Sequence, residues 1–145
     1  MKGEKIPDEH HVARYCGFTT LDEDRMVSAS AFMLKKGESE LSVNWLENLA
    51  KPDRQGEIAT LRRVYSSKPK PLKVGAQAKI AVLNVGKTCR WVFERSPDRR
   101  KLSILHDPEV GDESHSGIYN LRFEEDDVIA EIIAQAVSED YPAPV

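Results

Sequence analysis

Two cysteines, Cys16 and Cys89, are all that these 145 residues hold, and they form no Cys-x-x-Cys pair. That spacing speaks against a disulfide scaffold or a redox pair and suits a reducing compartment. No run approaches the roughly 18 apolar residues of a membrane span. The first residues, Met1 to His11, lack the apolar core of a secretory signal, so the expected location is cytoplasmic, with no membrane partner. Positive charge is nearly missing from the end of the chain: residues 102–145 carry one Lys/Arg against eleven acids.

What is present describes one globular domain, 40% hydrophobic and 31% charged, long enough to bury a core without staples. The net charge of −3 hides three blocks. Residues 1–50 carry six Lys/Arg against nine acids, and residues 51–101 carry fourteen against four. Blocks of opposite sign predict separated charged faces that attract each other, within one chain or between chains.

Periodicity places the elements. His11–Cys16 alternates as a short strand ending before Gly17. Ser30–Glu47 reads as a β-hairpin around Lys35-Lys36-Gly37-Glu38, with Leu41, Val43 and Trp45 sharing one face of its second arm. Ile58, Leu61, Val64 and Tyr65 mark a helix over Glu57–Lys68. Lys79–Val85 is a strand, Thr88–Ser96 a helix capped by Thr88, and Lys101–Asp107 a strand followed by a loop, Pro108–Gly117. Val128, Ile129, Ile132, Ile133 and Ala136 stripe a helix over Glu124–Glu139, whose leading acids suit the positive end of the helix dipole. Residues 1–9 are expected to be mobile and 140–145 to form a tail. The order predicts a single α+β domain over 1–145, two-layered, with a mixed sheet of about five strands and three helices on one side.

Gly86-Lys87-Thr88 lies between a strand and a helix, as a phosphate loop does, but the glycine required five residues before Gly86 is Ala81. The residues therefore read as a strand end and a helix cap, with room for at most a single anion. His10 and His11 are adjacent and face opposite ways in a strand, and His106 and His115 match no zinc spacing, so no metal or other cofactor is expected.

The richest stretch is Leu105–Tyr119. His106, Asp107 and His115 are candidates for acid–base work at a strand end, and Ser116 and Gly117 for ligand contact, with His11 and Arg14 as possible partners across the sheet. No nucleophile stands in a Gly-x-Ser-x-Gly elbow. Arg14, inside an apolar strand, needs a partner, for which a C-terminal acid is expected. Arg62, Arg63, Arg95, Arg99 and Arg100 are candidates for partner binding or, on one contiguous face, for nucleic acid, although no nucleic-acid-binding motif accompanies them.

The segments His11–Cys16, Leu41–Glu47 and Ser114–Tyr119 resemble those of small bacterial proteins of about this length to which no activity is attached. The resemblance implies a bacterial, cytoplasmic protein and no catalytic residues. Charge polarity and the absence of a complete catalytic motif lead to a non-catalytic module that binds a protein partner or itself. A small enzyme or ligand-binding domain with a His/Asp/Arg pocket is the alternative, and nucleic-acid binding the third reading.

Overall fold

The computed structural model describes residues 3–69 and 71–144; residues 1, 2 and 145 of the two terminal segments, and Lys70 of the basic block, lie outside them. Six strands form one antiparallel sheet: β1 His11–Cys16, β2 Leu41–Trp45, β3 Lys79–Asn84, β4 Ser103–His106, β5 His115–Tyr119 and β6 Glu139–Pro142. Their spatial order is β4-β5-β2-β1-β3-β6. Three helices accompany them: α1 Arg54–Ser67, α2 Val85–Arg95 and α3 Asp127–Ala136. The domain is α+β, as the element order predicts.

Alternation along the strands builds two cores. Val12, Val43, Leu83, Ile104 and Ile118 face α2, α3 and a short 3-10 turn at Ala29–Phe32. Ala13, Ile80 and Val82 face Ile58, Leu61 and Tyr65 of α1. The expected two-layer arrangement therefore gives way to three layers, because β3 is apolar on both faces and each face needs its own cover. Fully buried side chains such as Leu61 and Ile133 each contribute about 1.5–3 kcal/mol of transfer free energy.

Local signals set the helix ends. Asp53 caps α1 by accepting a hydrogen bond from the Gly56 amide at 2.7 Å, and Lys68, preceding Pro69, turns extended. Asn84, rather than the expected Thr88, caps α2, accepting from the Lys87 amide at 2.8 Å, so the helix starts three residues earlier.

Both sheet edges are covered or blunted. Residues 3–6, expected to be mobile, run along β4: the Gly3 amide donates to the His106 carbonyl at 2.6 Å, and the Ile6 amide to that of Ile104 at 3.1 Å. Ile6 is completely buried there. The expected tail supplies β6, a four-residue edge strand ending in Pro142, which donates no ladder hydrogen bond.

Three further expectations change. The first arm of the expected hairpin is the 3-10 turn, whose apolar residues pack on α3 rather than pairing with β2. The sheet, expected to be mixed, is antiparallel throughout. Finally, part of the expected Pro108–Gly117 loop is the start of β5, which pairs with both β2 and β4.

Candidate functional site

The site begins with a break in the sheet. β1 pairs with β3 along six residues but with β2 only at Val12–Trp45 and Ala13–Asn44. Beyond Ala13 the two strands part, and backbone carbonyls there lose their ladder donors. Arg14 fills the gap: its Nη1 donates to the Ser42 carbonyl of β2 at 2.7 Å and its Nε to the Ala31 carbonyl of the 3-10 turn at 2.5 Å. Among the described residues no C-terminal acid reaches it. Among the described residues no carboxylate lies within ion-pair distance of this half-buried guanidinium, and burial pushes its pKa down, with Glu38 opposing from farther off.

The split opens into a cleft of about 330 Å³ lined by Arg14, Ser42, Tyr65, Lys68, Glu109 and His115, among others. Tyr65 comes from the last turn of α1 and is only 4% exposed. Its hydroxyl is buried and has no hydrogen-bond partner among the described residues. Burial holds that phenol far above its ordinary pKa, so it is a proton donor left without an acceptor.

Lys68, by contrast, is answered. Its Nζ lies 3.1 Å from Asp112 and 3.9 Å from Glu109. Asp112 is buried and also accepts from Asn44 Nδ2 at 2.8 Å, while Asn44 donates to Ser114 Oγ at 2.9 Å. This network ties the loop before β5 to α1 and β2 and fixes the cleft wall.

His115, at the start of β5, pairs with Asn44 and projects to the same face as Ala13. It is 5% exposed. Its Nδ1 lies 2.8 Å from the Asp107 carbonyl, which only accepts, so Nδ1 carries a proton. In the neutral ring Nε2 is then the acceptor, and it lies 3.2 Å from the exposed hydroxyl of Ser42. The Asp107 and Glu109 carboxylates stand 4.0 and 3.7 Å from the two ring nitrogens.

Of the residues singled out in the sequence, the structure brings Arg14 and His115 to one cleft and sets Asp107 against the His115 ring. His106 is one residue too many along the strand: it pairs with Ser116 and points to the opposite face, against Trp45 at 5.1 Å between ring centres. Ser116 is fully buried there, its hydroxyl donating to the Ser114 carbonyl. Gly117 pairs with Ser42, but the space a Cβ would take is closed at 2.9 Å by both Glu40 and Tyr119 rather than open to a ligand. His11 lies near the other end of β1, its Nδ1 2.8 Å from Glu47. Sequence reasoning missed Ser42, Tyr65 and Lys68; the only signal for Tyr65 was its place on the apolar stripe, which reads as core.

The basic candidates divide between the faces. Arg62 and Arg63 sit on α1, and Arg62 donates to the Pro142 carbonyl at 2.7 Å. Arg100 is buried against Asp126. Arg95 and Lys87 flank the Trp91 ring on α2, at 3.8 and 4.5 Å from its centre, and Arg99 lies 4.4 Å from that of Phe93. The five arginines therefore form no single face. Much of the block charge is also answered inside the chain, through Arg54–Glu139, Lys79–Asp140 and Arg100–Asp126.

The start of α2 is filled by its own chain: the Gly86 amide donates to the Asp8 carbonyl at 2.9 Å, and a Cβ at Gly86 would strike Asp8. No anion cradle remains there. Burial pushes both thiols up to about 11, which makes Cys16 and Cys89 poor nucleophiles near neutral pH. Among the described residues, no helix is long and apolar enough to cross a membrane.

No protein-family model matches the chain, and no curated protein or solved structure does.

Proposed function

We propose that this protein binds a small molecule carrying a carboxylate or phosphate group in the cleft between α1, β2 and the loop before β5. One observation carries the reading: Arg14 places a half-buried positive charge at the cleft with no carboxylate within ion-pair distance among the described residues. A buried charge answered only by two carbonyls and by the more distant Glu38 of the same cleft is costly, and an anion supplies a direct partner. The unpartnered Tyr65 hydroxyl, in the same cleft, adds a donor for the same ligand. His115, a candidate from the sequence, lines this site with Asp107 against its ring, and the setting we propose is a bacterial cytoplasm.

A panel of inorganic phosphate, pyrophosphate, succinate and citrate tests this by thermal unfolding. An anion at about 100 times its dissociation constant adds about 2.7 kcal/mol, a rise of about 5–10 °C for a domain of this size. At least one member is expected to give such a rise at constant ionic strength. If all four move the midpoint no more than chloride does, the reading fails.

A second reading, binding of an acidic protein partner, is favoured by the α2 surface, where Lys87, Arg95, Arg99 and Lys101 stack on Trp91 and Phe93. A polyglutamate peptide should quench tryptophan fluorescence with an affinity that falls as salt is added, and a double exchange of Lys87 and Arg95 to Glu should abolish the effect. Binding of a single-stranded oligonucleotide in place of the peptide would transfer this surface to nucleic acid.

A further inference from the structure

We propose that Ser42 and His115 form a nucleophile and base, and that the cleft hydrolyses small acyl esters bearing a carboxylate or phosphate near the acyl group. The choice of substrate rests on the anion-binding reading above; the reactivity of Ser42 does not.

The geometry supplies a nucleophile and a base. Ser42 is exposed on β2, and its hydroxyl meets Nε2 of His115 at 3.2 Å. The Asp107 carbonyl, 2.8 Å from Nδ1, holds the ring in the tautomer whose Nε2 accepts a proton. When that proton arrives, the carboxylates of Asp107 and Glu109, 4.0 and 3.7 Å from the ring, face the new positive charge. Arg14 is anchored on the carbonyl of Ser42 itself, so a ligand anion held by its guanidinium presents its neighbouring carbonyl beside the hydroxyl. Of the other charged groups lining the cleft, Lys68 is held by Asp112 and Glu109, and Lys35 is accompanied by Glu38.

In the first half-reaction Ser42 Oγ bonds to the acyl carbon while its proton passes to His115 Nε2. The bond from that carbon to the alcohol oxygen breaks, and the departing oxygen takes the proton from Nε2. Water then bonds to the acyl carbon and gives one proton to Nε2. The bond to Ser42 Oγ breaks, Oγ recovers that proton, and the free acid leaves. No oxidant, reductant or metal enters the balance.

The test uses the full chain, a neutral fluorophosphonate and two chromogenic esters, p-nitrophenyl butyrate and mono-p-nitrophenyl succinate. The fluorophosphonate is expected to phosphonylate Ser42, with loss of fluoride, and peptide mapping locates the adduct. Ser42→Ala should remove the adduct, and His115→Gln should slow its formation by about 10²- to 10⁴-fold while the circular dichroism spectrum is kept. The succinate ester should be preferred in kcat/KM by about tenfold or more, and Arg14→Gln should erase that preference. An adduct spread over exposed serines such as Ser39 and Ser66, or one indifferent to His115, overturns the proposal even if phosphate or succinate still binds. An adduct at Ser42 with no preference between the esters instead confirms the nucleophile and removes the anionic substrate.

Discussion

Exchanging Arg100 for methionine is expected to lower the unfolding free energy by about 3–5 kcal/mol, the cost of orphaning one member of a buried ion pair. Arg100 is 5% exposed, and its two terminal nitrogens grip Asp126 at 2.8 and 3.0 Å. It also donates to Asp98 at 2.8 and 2.9 Å and to the Asn120 carbonyl at 2.9 Å. These bonds raise the guanidinium pKa well above its ordinary value. Removing it leaves the Asp126 carboxylate buried at the head of α3, next to the larger core. Since whole domains are stable by only about 5–15 kcal/mol, the loss is a large share of the total. Guanidinium denaturation reads it directly; a change under about 1 kcal/mol would show that Asp126 is hydrated and the pair ornamental.

The same exchange at Arg14 is expected to behave in the opposite way. Arg14→Met removes a costly charge and two hydrogen bonds to carbonyls, at 2.5 and 2.7 Å, and these terms largely offset each other. Stability should therefore move by no more than about 1 kcal/mol. Affinity for the anion that best stabilises the protein should fall by about 10- to 150-fold, since hydrogen bonds to a charged group contribute about 1.5–3 kcal/mol. Isothermal titration beside the denaturation curve separates the two effects. Loss of stability equal to that at Arg100, with binding intact, would make Arg14 a strut rather than a ligand-binding residue.

The contrast between these arginines also explains what the sequence could reveal. Arg14, inside an apolar strand, demands a partner, whereas Arg100, expected at a partner-binding surface, is buried against Asp126 of the acidic C-terminal block. For Arg14 that demand points to the same block, yet the answer is one carbonyl of β2 where β1 and β2 separate and one of the 3-10 turn, and nothing in the order of residues marks that arrangement. Helix α3 is legible because Ile129, Ile132, Ile133 and Ala136 of its stripe share one buried face, although Val128 is exposed. Strand β5 is not, because Ser114, His115 and Ser116 look like a polar loop. Their buried polar atoms are satisfied by Asn44 across the sheet, by the Asp107 carbonyl and by one another.

The misread hairpin follows from a similar ambiguity. Ala31 and Phe32 are buried against α3, and a short apolar run bound for a helix cannot be told by periodicity from one bound for a sheet. The candidate site was half visible for the same reason. His115 and Asp107 stand out by residue type, while Ser42 and Tyr65 acquire meaning only from what lies 3.2 Å away or, for the phenol, from what does not.

The central claim is that Arg14 and Tyr65 await an anion, and nuclear magnetic resonance addresses it most directly. The Arg14 Nε–H signal would be followed while phosphate or succinate is added at fixed ionic strength. The account predicts a saturable shift at Arg14, accompanied by shifts at Tyr65 and His115 with the same midpoint. Shifts that grow linearly and are shared evenly with exposed residues such as Arg63 and Arg99 would contradict it.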